Sequence, residues 1–552
     1  MLRLHKTQSR DTNMRNARSF LLLIALILLF TTGGYFSRIP SFSITEIPDV
    51  FSSFDPLLWL SISSFGIVLM IFSLKRLWME VFGCILLWSL FYIMPIIVNY
   101  PLLGLNIEQL VFAKWKIGNK GWPAAYILWS MMMTMLNLDI IMGTIMLGFF
   151  ISMTSIIVLL TLSRKVMKKP GYAYIATLFF ILPQTYFLNF FSDYSYAFLM
   201  LLMTLYNVLP IKKSIIMGRS TFTMFLIIST SLILSNPIAS MTILLFIMIY
   251  TSTWLFLKLH HTKELRTCSI TYFLLLTGWY VYNHIAFSAV SPWIEAITRL
   301  MLVERALTLH SYVTLLRIPP TFFYLLLLYY RYAIFMLLGC FTLYGIYLHV
   351  KSRDKERLTF YFSFITVCAL LWFILTASTL ENFSLRFMLF GIIPVALMSS
   401  YTLLALHTKL RIATLIVLSL TLPLSFALSF SPSLFNRCSH EWSFDMANFT
   451  ATHIGNDTLL VSDTWGVRYV QIFNPIITHG AHLDSVTVAN IAPRDVYLPQ
   501  SRHLILLSLS QKMQALVSFG RPLDDWYYLD EELKSNYELI YNNYYSSAWF
   551  KR

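Results

Sequence analysis

A chain of 552 residues with 57% hydrophobic and only 12% charged side chains is not built as a soluble domain, which carries about 25% charged residues. Its formal charge of +15 does not point to nucleic acid either. The Lys and Arg residues cluster in short stretches between apolar runs, the pattern of membrane topology and of contact with anionic lipid headgroups. Cys84, Cys268, Cys340 and Cys368 fall inside apolar runs and Cys438 stands alone, so the sequence has neither a disulfide framework nor a zinc motif.

Residues 1–18 are basic and lead into an apolar run from about residue 19. No small-residue cleavage site follows it, so it reads as a retained anchor and not as a signal peptide. A helix of about 20 apolar residues crosses a bilayer. The runs at 19–36, 57–74, 77–98, 140–162, 171–190, 194–210, 221–235, 238–258, 267–286, 333–350, 358–379, 387–407 and 412–430 predict about 13 transmembrane helices.

A cytoplasmic N-terminus puts 23 Lys and Arg residues in the inner connections and nine in the outer ones, the asymmetry of the positive-inside rule. Thirteen crossings then leave the C-terminus outside a plasma membrane. Two further apolar stretches, 124–138 and 317–330, would invert every later loop if they crossed. They are read as interfacial or re-entrant helices on the outer side, which requires covering protein or a wet cavity there. The sequons at Asn382, Asn448 and Asn456 all fall outside in this topology.

Beyond residue 430 the character changes: residues 431–552 hold 12 of the 26 acidic residues and no run long enough to span. Residues 458–462 and 503–509 read as short buried strands, and 511–518 and 529–535 as helices. The expected organisation is a basic cytoplasmic N-terminus over 1–18, an all-α polytopic bundle over 19–430, and a small extracytoplasmic α/β domain over 431–552. The groupings His479, His482, Asp484 and His440, Glu441, Asp445 have a ligand-like composition without a known zinc spacing, so no divalent metal or other cofactor is assigned.

Chemistry needs polar groups, and the outer connections supply them. The stretch 36–55 carries Glu46, Asp49 and Asp55. The stretch 100–126 carries Glu108, Lys114, Lys116 and Lys120 together with Trp115 and Trp122. Its amphipathic pattern suits an interfacial helix anchored by tryptophan, and Lys114 or Lys120 could also grip a lipid phosphate beside Glu108. The stretch from about 289 to 332 carries Arg299, Arg305 and Arg317, whose planar guanidinium groups suit a phosphate or pyrophosphate. Glu295 and Arg299 also have the spacing of a surface pair. Within the membrane layer Glu80 lies near the inner end of its span and Asp193 in an outer turn. No series of midplane carboxylates marks a proton relay.

Three segments carry a resemblance. Tyr100-Pro101 followed by Ala113-Lys114-Trp115-Lys116-Ile117 and Gly121-Trp122-Pro123-Ala124 resembles the outer loop of the archaeal and bacterial membrane proteins with the GT-C glycosyltransferase fold. Ser384-Leu385-Arg386-Phe387 with Pro394 resembles their late Arg-Phe…Pro segment, and Ser235-Asn236-Pro237 resembles a His-Pro of related archaeal chains. The resemblance implies transfer of a sugar from a polyprenyl-phosphate donor on the outer face of the membrane, with membrane lipids and the lipid-linked sugar as partners. It implies Glu108 as general base, with Asp49 as second choice, and phosphate contacts from Lys114, Arg305 and Arg386. The chain departs from the pattern where Asn106, Glu108 and Gln109 replace an Asp followed by His, and where Asn236 replaces His. Such a transferase, or a catalytically decayed relative, stands beside two alternatives: a transporter or flippase of a lipid-linked substrate, and a non-enzymatic membrane assembly protein.

Overall fold

The computed structural model describes residues 28, 56–74, 77–93, 123–138, 140–167, 169–183, 193–209, 219–257, 262–283, 322–352, 355–377, 381–428, 448–453, 459–462, 479–482, 503–508, 538–542 and 546–551. Fourteen α-helices are described there: α1 (Pro56–Ser73), α2 (Leu77–Trp88), α3 (Ala124–Leu136), α4 (Ile140–Val166), α5 (Tyr172–Ile181), α6 (Asp193–Val208), α7 (Arg219–Ile233), α8 (Pro237–Phe256), α9 (Thr262–Tyr282), α10 (Phe322–Ser352), α11 (Lys355–Ala377), α12 (Glu381–Ala405), α13 (Thr408–Leu420) and α14 (Leu422–Leu428). A π-helical turn, Ser89–Ile93, continues α2.

Among the described residues four helical stretches are long and apolar enough to cross a membrane: Pro56–Ser73, Gly143–Val166, Pro237–Phe256 and Tyr329–Ser352. Each expected span from 57–74 onward coincides with at least one helix, whereas 19–36 lies outside the described residues apart from Leu28. The protein is a helical membrane protein. Its outward faces carry large apolar side chains in the open, among them Phe256, Val281, Met336 and Leu343, which in a bilayer meet lipid and not water.

The helix ends sort into two groups. At one end, Ala173 N at the start of α5 donates to Glu80 Oε1 in the first turn of α2 at 2.6 Å, and Arg164 in the last turn of α4 lies 3.9 Å from Glu80 Oε2. Arg357 in the first turn of α11 donates to the carbonyl of Val166, which closes α4. Lys165 donates to the carbonyl of Tyr206 near the end of α6. His349 near the end of α10 stacks on Tyr401 near the end of α12, ring centroids 4.0 Å apart. This end also carries Lys169 and Lys351; we call it the basic end.

At the far end, Tyr330 in α10 shares a 2.7 Å hydrogen bond with Ser425 in α14, and Ser425 donates to the carbonyl of Leu182, just after α5. The start of α2 thus meets the end of α4, so those two helices are antiparallel. Residues 124–136 form α3 between them, and residues 94–122, which join α2 to α3, lie outside the described residues. For 317–330 the structure differs. Residues from Phe322 run unbroken into a 31-residue helix, about 46 Å at 1.5 Å per residue. The apolar run FFYLLLLYYRYA has no Gly, Pro or capping residue to stop it, so the separate re-entrant helix expected there does not exist from Phe322 onward. Arg331, expected in a loop, lies inside this helix and over the Phe335 ring at 5.9 Å.

Several buried hydroxyls are satisfied within their own helix, which suits an apolar surrounding. Ser155, Ser163 and Thr177 each donate to the carbonyl four residues earlier.

Five strands form one sheet: β1 (Leu459–Ser462), β2 (His479–His482), β3 (His503–Ser508), β4 (Glu538–Asn542) and β5 (Ser546–Lys551). Their order is β2-β1-β3-β5-β4. β1 is parallel to β2 and β3, and β5 is antiparallel to β3 and β4. β1 and β3 fall where the sequence predicts strands, while the helices expected at 511–518 and 529–535 lie outside the described residues.

Candidate functional site

The predicted site residues meet the structure at its edge. Asp49, Glu108, Lys114, Lys120, Arg299, Arg305 and Arg317 lie outside the described residues. Arg386 falls in the second turn of α12, and its side chain is outside the description too. What the structure does describe is the scaffold from which those segments depart.

Four helix ends bound it. α2 starts at the basic end and therefore finishes at the far end, where the stretch carrying Glu108, Lys114 and Lys120 begins. α10 and α12 finish at the basic end and therefore start at the far end. α9 runs beside α8: the Thr251 hydroxyl near the end of α8 meets Ser269 near the start of α9 at 2.8 Å, and Tyr272 donates to the carbonyl of Ser240 near the start of α8. Phe246, midway along α8, packs on Phe360 in the second turn of α11 with centroids 5.8 Å apart, and Tyr250, a turn further along α8, faces Glu356 in the first turn of α11. α9 consequently ends at the far end, where the stretch carrying Arg299, Arg305 and Arg317 begins.

The scaffold is stiff at this end. Trp88, at the close of α2, donates to Ser152 in α4 at 2.8 Å and stacks on Phe180 of α5 with centroids 5.7 Å apart. Tyr92, in the π-helical turn, packs on the Trp88 ring at 4.4 Å. Such turns widen a helix by one residue and recur near functional sites. The α3 helix is held from both sides: Ala124 N donates to the carbonyl of Leu234 after α7, and Trp129 donates to Thr144 in α4. Its other face, with Met131 and Met135, is exposed. Asn137 closes α3 in the left-handed region at φ 48°, where Asn is better tolerated than most residues.

Asn236 explains one departure from the family pattern. It is buried, precedes Pro237, and accepts from Ile238 N and Ala239 N at 3.0 and 3.2 Å. It is therefore the N-cap of α8, with proline at the first helical position. A side-chain oxygen on a short stem does this work at that position.

Glu80 is the charged group whose surroundings sequence reasoning missed. Its carboxylate is fully buried and accepts from Ala173 N and Tyr174 N, so it stands against the positive N-terminus of α5. Gly171, at φ +80°, makes the turn that aims these amides. The sequence signal was a lone acid in an apolar run; its partner lies 93 residues away. Being at the basic end, Glu80 lies at the opposite end of α2 from Trp88.

Among the described residues no three His, Cys, Asp or Glu side chains group to hold a metal. His479 and His482 open and close β2, with a register shift against β1 between them. Asp484, His440, Glu441 and Asp445 lie outside the described residues.

Compared with known proteins, the sequence matches no family model and no curated relative. Its structure is similar to the crystal structure of ArnT from Cupriavidus metallidurans in the apo state, at 11% identity and a TM-score of 0.42, over 78% of this chain and 87% of that one.

Proposed function

We propose that the protein is a GT-C-type transferase that moves a sugar from a polyprenyl-phosphate donor on the outer face of the membrane. One observation supports this most directly. The segments bearing Glu108, Lys114 and Lys120, and Arg299, Arg305 and Arg317, attach to helix ends at the far end of the bundle, and Arg386 lies in the second turn of a helix that starts there. A carboxylate that accepts a proton and cations that hold a leaving phosphate must meet in one place, and attachment at a common end satisfies the first condition for that. Glu108 takes the role of general base, and Lys114, Lys120, Arg299, Arg305, Arg317 and Arg386 supply the phosphate contacts. The bundle makes thirteen crossings, with the N-terminus in the cytoplasm and residues 431–552 outside.

The test is reconstitution in liposomes with polyprenyl-phosphate sugars and a search for transferred sugar. Wild type is expected to transfer, and Glu108→Gln, which keeps the shape and removes the base, to lose about a hundredfold or more of the rate. Equal activity in Glu108→Gln removes Glu108 from the base role. No transfer from any donor, with donor flipping instead, returns the protein to the transporter reading.

A further inference from the structure

Arg331 is a charge inside a helix that crosses the membrane. It lies in α10, within the stretch Tyr329–Ser352 that is long and apolar enough to span. Ionisable side chains are rare in such helices, turn toward the bundle interior and mark binding sites. The face that Arg331 occupies follows from the helix period. Leu338, Thr342, Gly345 and His349 stand 7, 11, 14 and 18 residues after it, which at 3.6 residues per turn keeps all five within about 40° of one line. This face packs on α12: the carbonyl of Leu338 accepts from Ser399, Thr342 meets Ser399 at 3.4 Å, and His349 stacks on Tyr401. The opposite face exposes Tyr332, Met336, Leu343 and Tyr347. Arg331 therefore aims into the bundle and not into the surrounding lipid.

Its depth follows from the helix rise. Arg331 precedes Lys351 by 20 residues, about 30 Å at 1.5 Å per residue, which is the thickness of the hydrocarbon layer. Lys351 is exposed at the basic end, so Arg331 stands at the opposite headgroup level. Tyr329 and Tyr332 are exposed beside it, as in the aromatic belts of membrane interfaces. Further along the inward face Leu338, Thr342 and His349 are buried, whereas Arg331 is only half-buried. The inward face is thus open at the level where it carries a cation. One turn on, the Phe335 ring lies 5.9 Å from the guanidinium carbon, and its electron-rich face favours the cation there.

We infer that Arg331 binds the phosphate of a membrane lipid at the far end of the bundle. A guanidinium fork fits two phosphate oxygens, and the depth of Arg331 is that of lipid phosphates. Its inward aim selects one lipid held against the bundle over the lipids that merely surround it. The inference deepens the transferase reading, and the assignment of that phosphate to a polyprenyl donor rests on that reading.

The full-length protein in dodecyl maltoside, a detergent without phosphate, is titrated by native mass spectrometry with a polyprenyl phosphate, with phosphatidylglycerol and with the polyprenol that lacks the phosphate. Wild type is expected to bind at least one of the two phosphate lipids at least tenfold more tightly than the polyprenol. A preference for polyprenyl phosphate identifies the donor as the source, and equal or tighter binding of phosphatidylglycerol identifies a membrane phospholipid; both support the site. Arg331→Gln is expected to bind the preferred lipid at least tenfold more weakly, and Lys351→Gln, at the other end of α10, within twofold of wild type. The inference is overturned if the polyprenol binds as tightly, if Arg331→Gln equals wild type, or if Lys351→Gln loses as much. Arginine modification by phenylglyoxal needs no variant and guards against misfolding: the bound lipid is expected to protect Arg331 in wild type, read by peptide mass spectrometry, and an unprotected Arg331 at saturation overturns the site. Sugar transfer with lipid binding unchanged in Arg331→Gln overturns this inference alone. Binding that depends on Arg331 without sugar transfer from any donor overturns the transferase reading alone.

Discussion

Glu80 illustrates how a single buried carboxylate is tolerated at the end of a membrane helix. Its Oε1 takes two backbone N–H groups that no intrahelical carbonyl can reach, and its second oxygen faces Arg164, whose side chain is 35% exposed. Removing the carboxylate leaves both amides buried without their acceptor, which costs about 1–3 kcal/mol. Glu80→Ala is therefore expected to lower the melting temperature of the purified protein by several degrees. Glu80→Gln keeps a carbonyl for the amides and loses only the charge, a change of about 0.3–1 kcal/mol at a helix N-terminus. Thermal melts in one detergent compare the two, and equal losses would show that charge, not the cap, holds the start of α5. Since Glu80 lies at the basic end, both variants are expected to retain any sugar transfer in proportion to folded protein.

At the scale of elements, the crossing of α10 and α12 shows what close approach requires between membrane helices. The Ser399 hydroxyl donates to the carbonyl of Leu338 at 3.2 Å and the Thr402 hydroxyl to that of Phe341 at 2.6 Å. These contacts need the backbones near each other, which small residues permit. A methyl group on Gly345 would lie 2.5 Å from Thr402 Oγ1 and 2.7 Å from Met398 Sδ, so a larger side chain forces the helices apart. Gly345→Leu is expected to destabilise by about 1–3 kcal/mol. Gly339, two turns earlier on the same helix, has no atom within 4 Å of where a side chain would start, and Gly339→Leu is expected to change stability by less than about 0.5 kcal/mol. Chemical denaturation of the two variants side by side checks the contrast; a Gly345→Leu protein as stable as Gly339→Leu would mean that the crossing is loose.

Elements also mark where sequence reasoning reached and where it stopped. Apolar runs located α1 to α13 because a bilayer imposes one length on every span. Loop charge reads α3 as a helix that does not cross, a reading that hydropathy alone does not give. The start of α10 was misplaced because nothing in FFYLLLLYYRYA distinguishes a re-entrant stretch from the first turns of a span. β2, β4 and β5 were not foreseen: the last two pair Glu538 with Phe550 and Leu539 with Trp549, and the interrupted alternation of ELIYN and SSAWFK gives little period-2 signal. The role of Asn236 was hidden for a different reason. A family comparison reads it as a missing histidine, whereas the two amides that it caps become visible only when α8 is folded.

For the molecule as a whole, the bundle has two chemically unlike ends, and every functional reading depends on which faces the cytoplasm. The basic end gathers Arg164, Lys165, Lys169, Lys351 and Arg357, and short basic connections stay on the cytoplasmic side. The far end holds the aromatic packing of Trp88, Tyr92 and Phe180 and the helix ends from which the candidate site segments depart. This orientation can be read with two engineered cysteines in a background where the five native ones are replaced by alanine. Lys263 is exposed in the first turn of α9 and Asn448 is exposed at the start of a short helical turn, so neither substitution disturbs packing. In intact cells a membrane-impermeant maleimide is expected to label Asn448→Cys, and to label Lys263→Cys only after the membrane is opened. The reverse pattern would turn the bundle over, move residues 431–552 into the cytoplasm and remove the outer-face transferase. Labelling of both in intact cells would show instead that the number of crossings between α9 and residue 448 differs by one from the charge-based count.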